Sequence, residues 1–179
     1  MDLGDLDSVR SFAERVRHGE DRLDLLINNA GIMACPESRI GNNWESQFAV
    51  NHIGHFVLTK ELMPLLLAAD GARVVCLSSV AHRRTDIHWD DIHFNDHAYD
   101  KWDAYGQAKT ANIWFSTELT RRAVRHGIVS NAVHPGGIIT DLGRHLSEDD
   151  IKELMSRQPA NGGGIRWKEV PAGAATSVW

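Results

Sequence analysis

No apolar run in this sequence approaches the roughly 18 residues needed to cross a bilayer, and its start, Met1-Asp2-Leu3-Gly4-Asp5, has neither the basic nor the apolar segment of a secretory leader. A membrane segment is therefore not expected. Cysteine is scarce: Cys35 and Cys76 are the only two. Two thiols do not make a disulfide framework, and Cys76 sits in the apolar run Val74-Val75-Cys76-Leu77, where a small buried hydrophobe is expected. A reducing, cytoplasmic setting is expected. No stripe of Lys and Arg is dense enough to neutralise a run of phosphates, and the net charge of -5 gives no pull toward nucleic acid. Internal repeats are absent, and low complexity is confined to Gly162-Gly163-Gly164, which predicts a loop bordering the substrate side.

What remains is ordinary for a globular chain: 179 residues, 42% apolar and 24% charged, enough for a single domain over 1–179. Val9, Phe12, Ala13 and Val16 recur at helical spacing, so residues 7–18 are predicted as an amphipathic helix capped by Asp7 or Ser8. Leu23 to Ile27 and Arg73 to Leu77 read as strands buried on both faces, and Ile128 to Val133 as a third. Trp44 to Ala69 reads as one long helix kinked at Pro64, with Phe48, Ile53, Phe56, Leu58, Leu62 and Leu66 as its core residues. Residues 82–103, polar and without a period, read as a surface excursion. Tyr105 to about Arg125 is predicted as a helix ended by Gly127, 147–156 as a short helix capped by Ser147, and Pro171 to Trp179 as the start of another. Strands alternating with helices imply parallel crossovers, hence an α/β fold with a doubly wound parallel sheet. Three strands are fewer than such a sheet usually holds, so the sheet is expected to be incomplete.

Tyr105 and Lys109 stand four apart on a predicted helix, which puts both side chains on one face. An ammonium there lowers the pKa of a nearby phenol and suits it to proton transfer. By itself a Tyr-x-x-x-Lys spacing is common. Its context is more telling, because Ser79 stands at the C-terminal end of a predicted parallel strand, the edge where α/β sheets bind ligands. Asn28-Asn29-Ala30-Gly31 ends the first strand and Pro135-Gly136-Gly137 the third, so small residues line the same rim and allow a flat ligand to approach backbone.

With these five landmarks in order, NNAG at 28–31, Asn51 in VNHIGHF, Ser79 in VVCLSS, Tyr105-x-x-x-Lys109 and HPGGIITD at 134–141, the sequence resembles the short-chain dehydrogenase/reductase family over nearly its whole length. The resemblance implies a Rossmann-type fold and NAD or NADP as cofactor. It implies that Tyr105 is the general acid/base, that Lys109 holds the nicotinamide ribose and lowers the Tyr105 pKa, and that Ser79 binds the substrate oxygen. It gives Asn51 the task of bending its helix and supporting a water relay to Lys109. For the cofactor it implies Asn29, Ala30 and Gly31 against the adenosine half, Asp2 and Leu3 at the adenine, and Pro135, Gly136, Ile138 and Thr140 at the nicotinamide end. The phrases SSVAH at 78–82, QAKTAN at 107–112 and VPAGAATSVW at 170–179 resemble the retinol-dehydrogenase-like branch, which implies a small lipophilic alcohol or carbonyl substrate. Helices 44–69 and 104–125 would pair two copies.

One part of the family's pattern is missing: the Thr-Gly-x-x-x-Gly-x-Gly turn whose backbone amides hold the pyrophosphate. The chain is thus expected to be a piece cut at both ends, with one strand edge uncovered, and a catalytically inactive remnant that keeps only pairing surfaces is the principal rival reading. A serine hydrolase built on Ser79 is disfavoured, since no Gly-x-Ser-x-Gly elbow is present; an epimerase or dehydratase of the same superfamily is disfavoured by NNAG and HPGG. His82, His88, His93 and His97 are spaced too irregularly for a metal site, and none is expected. Trp89, Trp102 and Trp114 are candidates for an apolar pocket, with Trp114 better suited to core or a subunit interface.

Overall fold

A computed structural model describes residues 1–156 and 167–178; Gly162-Gly163-Gly164 falls outside them. Helix α1 (Leu6–Gly19) begins where the Asp5 carboxylate accepts from the amides of Asp7 and Ser8, and ends with Arg17 and His18 at its negative pole. Strand β1 (Leu25–Asn28) follows, then a short antiparallel pair, β2 (Arg39–Ile40) with β3 (Trp44–Glu45). Strand β4 (Arg73–Leu77) and strand β5 (Val129–Val133) complete a parallel sheet of order β1-β4-β5, registered Leu26 to Val74 and Val74 to Ser130. This is the parallel α/β arrangement expected. Because β1 borders the sheet, it is not buried on both faces as its apolar run suggests: Leu25 is 44% exposed.

The stretch 44–69 is not one helix. Glu45 caps a single turn, α2 (Ser46–Phe48), through the amides of Gln47 and Phe48; the chain then widens into a π turn over Ala49–Ile53 before α3 (Gly54–Glu61). Leu62 closes α3, and α4 (Met63–Ala68) restarts with Pro64 in its first turn, where a missing N–H costs nothing. Pro64 opens a helix here and kinks none. Phe56, expected in the core, is 45% exposed.

Residues 82–103 are also more than a surface excursion. Ile87, Asp91, Phe94 and Trp102 are buried, and the Asp91 carboxylate gathers the amides of Asn95, Asp96 and His97 into one loop. Asp100 then caps α5 (Lys101–Ala123) by accepting from Trp102 and Asp103, four residues before the predicted start. A turn at 124–126 leads to Gly127 at φ +76°, a left-handed C-terminal stop that favours glycine. Beyond β5 lie β6 (Gly137–Ile138), which pairs in parallel with β7 (Trp167–Lys168), α6 (Glu148–Ser156) and α7 (Val170–Val178).

The core has three clusters. Leu66, Val74, Cys76, Leu119 and Ile128 pack α4 and α5 on the sheet; Leu3, Val9, Ala13, Leu58 and Leu65 join α1 to α3 and α4; Phe48, Ile87, Ala108 and Ala111 seat the 82–103 loop on α5. Leu66 and Ile128 are fully buried, and burying each is worth roughly 1.5–3 kcal/mol. No helix among the described residues is long and apolar enough to cross a membrane.

Candidate active site

Since β1, β4 and β5 are parallel, their C-terminal ends share one rim, where Asn28 to Gly31, Ser78-Ser79 and His134 to Gly137 emerge. Helix α5 lays Tyr105 and Lys109 along this rim, each 4% exposed. The Lys109 Nζ lies 5.4 Å from the Tyr105 ring centre and donates to the Leu77 carbonyl at 3.0 Å, at the last residue of β4. Burial pushes the Tyr105 phenol up to about 12, opposed by a hydrogen bond with Ser79. Burial pushes the Lys109 amine the other way, down to about 8, so at neutral pH it is charged but close to releasing its proton. The pair combines a neutral phenol with a poised cation.

Ser79 is half-buried and holds the rim turn: its Oγ accepts from the Ala81 amide at 3.2 Å. His82 Nδ1 lies 2.6 Å from the Ser79 backbone carbonyl, a contact that does not activate the hydroxyl and gives no support to a serine hydrolase. Gly106, on the turn between Tyr105 and Lys109, presses against this segment, and a Cβ there would meet the Ala81 carbonyl at 2.9 Å.

Asn51 lies in the π turn with no exposed surface. Its amide clamps the backbone of Ile32, accepting from the N–H and donating to the carbonyl, both at 2.9 Å. Its own carbonyl accepts from Asn112 Nδ2 at 3.1 Å and His55 Nδ1 at 3.0 Å. The path from Asn51 to Lys109 thus runs through Asn112, which also donates to Leu77 O at 3.1 Å. The sequence pattern singled out neither Asn112 nor His55, and His52, which could have been satisfied by backbone groups, instead meets the Asn112 side chain at 3.0 Å. The signal for Asn112 was available: three residues after Lys109 and seven after Tyr105, it shares their helix face.

The other rim positions divide. Asn29 and Ala30 are exposed beside Gly31, where a Cβ would stand 2.8 Å from Asn51 Oδ1. Asp2 is exposed and caps its own turn through the Gly4 amide at 2.8 Å, whereas Leu3 is buried in the α1 cluster. A cavity of about 510 Å³ lies beside Asp2, between Ile32, Ile40 and Val50. Gly136 has φ +99°, and Lys168 reaches across to the Pro135 carbonyl at 3.0 Å. Ile138 packs on Gly173 of α7, while Thr140 is exposed and caps the turn at 141–143.

Lys101, one turn before Tyr105, ties α6 to this helix: Asp150 accepts its Nζ at 2.7 Å and the Ser147 amide at 2.8 Å. Of the tryptophans, Trp102 is buried, but Trp89 and Trp114 are 70% and 59% exposed and line no common pocket with it. Among the described residues no group of three or more His, Cys, Asp or Glu side chains is placed to hold a metal. The four histidines considered above are dispersed, with His97 on Asp91, His93 on the Glu45 amide, His88 on Thr85 and His82 on Ser79.

Residues 1–176 match the protein family described as enoyl-(acyl carrier protein) reductase. Human retinol dehydrogenase 13 is 44% identical over 145 residues, which covers 81% of this chain and 44% of that protein. A short-chain dehydrogenase/reductase of Penicillium rubens is 38% identical over 182 residues, covering 99% of this chain and 52% of that one. The chain spans about half the length of the curated relatives it matches. Among solved structures, an uncharacterised protein of Mycobacterium paratuberculosis superposes with TM-score 0.68 at 35% identity, over 100% of this chain and 71% of the other. RhlG of Pseudomonas aeruginosa, solved as an NADP active-site complex, superposes with TM-score 0.71 at 27% identity, over 99% of this chain and 66% of that one.

Proposed function

The chain belongs to the short-chain dehydrogenase/reductase family, and on that premise we propose that it carries the proton-transfer half of an NAD(P)-dependent oxidoreductase acting on an alcohol/carbonyl pair. The observation that carries this reading is the buried Tyr105–Lys109 pair beside Ser79 at the C-terminal rim of a parallel sheet.

The residues present fit the two ends of a dinucleotide. Asn29 and Ala30 are exposed at the end of β1, close in sequence to Ile32 at the cavity beside Asp2, while Pro135 and Gly136 lie half-buried under Lys168, which would have to yield to a nicotinamide there. The sequence holds no glycine-rich turn for the diphosphate. When bound, the nicotinamide supplies or accepts the hydride. In reduction the Tyr105 phenol, kept neutral by burial, gives its proton to the carbonyl oxygen, which the Ser79 hydroxyl orients. Lys109 stabilises the phenolate that this leaves, then restores its proton, for which a pKa of about 8 is well matched. In oxidation the same groups run in reverse.

The 44% identity with human retinol dehydrogenase 13 supports a lipophilic alcohol or aldehyde as substrate. Pairing of two copies through α3 and α5 is supported by the exposure of Phe56 on α3 and Trp114 on α5. The deciding test is a melting-shift titration of the 179-residue chain with NADH and NADPH in parallel, with Tyr105→Phe as a folded control. Saturable stabilisation supports the reading, because a ligand that binds only the folded state must raise its stability. A folded chain that binds neither would leave the inactive remnant.

A further inference from the structure

The Asn112 amide makes three hydrogen bonds inside the site and spends both of its donors there. Its Nδ2 hydrogens go to Asn51 O and Leu77 O, both at 3.1 Å, and its Oδ1 lies 3.0 Å from His52 Nδ1. An amide oxygen only accepts, so His52 carries its proton on Nδ1, and burial keeps that imidazole neutral by lowering its pKa. Flipping the amide would set its oxygen against two carbonyls; its orientation is therefore fixed. The Leu77 carbonyl holds two donors, Asn112 Nδ2 and Lys109 Nζ at 3.0 Å, and the Asn51 carbonyl holds two, Asn112 Nδ2 and His55 Nδ1. Ser78 Oγ closes the same joint by donating to the Lys109 carbonyl at 2.9 Å.

We propose that Asn112 is a positioning residue for Lys109: by bridging the end of β4 to the π turn it holds the Leu77 carbonyl, and with it the ammonium, opposite Tyr105. The proposal rests on the proton-transfer role given to Tyr105 and Lys109 above. It differs from a purely structural role in one measurable respect. A buried amide that only satisfies hydrogen bonds contributes stability; one that shares Lys109's acceptor also sets how readily Lys109 ionises. The other titratable groups facing Lys109 are Tyr105 on its own helix, Cys76 on β4 and His55 on α3; a substitution at 112 leaves all three in place and reaches His55 only through the Asn51 carbonyl that His55 shares with Asn112.

The experiment is a pH titration of the 179-residue chain labelled at lysine Cε, followed by NMR, with Lys109→Met identifying the signal. Asn112→Leu removes the bridging N–H at similar volume, and Asn112→Ser removes it without adding apolar surface and serves if the first does not fold. With Leu77 O no longer tied to the π turn, the ammonium loses its fixed acceptor, the protonated amine is disfavoured and the Lys109 midpoint should fall by about half a pH unit or more. A folded variant whose midpoint stays or rises overturns the positioning role and leaves the proposed activity untouched. A lowered midpoint supports it, even if a Tyr105→Phe protein retained turnover, a result that would instead remove the proton-transfer reading.

Discussion

Replacing Lys109 with methionine should make the folded chain more stable at neutral pH. Burial lowers the Lys109 pKa from 10.5 to about 8, and that difference corresponds to about 3 kcal/mol of unfavourable ionisation in the folded state. The sign follows from proton counting. Between pH 8 and 10.5 the unfolded chain keeps its proton while the folded one sheds it, so stability rises with pH across that window; below pH 8 the full cost is present. Methionine fills the space of the stem up to Cε and removes the charge, and it orphans no acceptor, because Leu77 O retains Asn112 at 3.1 Å. Allowing about 1 kcal/mol for the lost hydrogen bond, the gain should be about 2 kcal/mol at pH 7, or roughly 4–8 °C in Tm for a domain of this size. Urea unfolding of both proteins at pH 7 and pH 10 reads this directly. The advantage of the variant should shrink toward pH 10. Measurements should stop there, since Tyr105, whose pKa burial raises from 10 to about 12, loses its own stabilising contribution as pH climbs through 10–12. A variant equally stable or weaker at pH 7, or a difference constant with pH, would refute the reasoning.

Tyr105→Phe should keep the melting temperature within a few degrees and cut turnover of an active preparation by about 10²–10⁴-fold, the range for losing a general acid, as followed by NAD(P)H absorbance. Gly31→Ala places a Cβ 2.8 Å from an Asn51 oxygen that two hydrogen bonds to Ile32 hold still, and should destabilise the chain by about 1–3 kcal/mol in urea unfolding. Asp150→Ala removes the acceptor shared by Lys101 and Ser147, so amide exchange should quicken at 147–154 while α5 stays protected. Trp114→Lys should shift any concentration-dependent association in sedimentation velocity toward monomer; an unchanged profile would count against pairing through α5.

Legibility in the sequence followed the range of the physics. Arg73–Leu77 was readable to the residue because a short apolar run between Gly71 and Ser78 leaves little choice. The start of α5 was not, since Asp100 looks like one more acid in an acidic stretch until its carboxylate is seen on Trp102 and Asp103. Asp91 misled for the same reason: a charged side chain in a polar segment reads as surface, yet here it is the buried hub of a loop. Pro64 signalled an interruption but not which side of it a helix would occupy. At the site, Tyr105, Lys109, Ser79 and the rim glycines carry local spacing and motif. The Asn112 bridge depends on Leu77 and Asn51, which only the folded chain brings near it.

The partner of the Lys109 ammonium is a main-chain oxygen, that of Leu77. No codon change can delete it: every amino acid at position 77 brings the same carbonyl, so alanine scanning would score that position by packing alone and miss its electrostatic duty. Its genetic vulnerability lies elsewhere, in whatever shifts the strand's register or end point. A mutational map of this protein would therefore scatter the defects of a single hydrogen bond over distant residues, and backbone chemistry, such as replacing the Leu77–Ser78 amide with an ester whose carbonyl accepts more weakly, would be needed to draw them back to one atom.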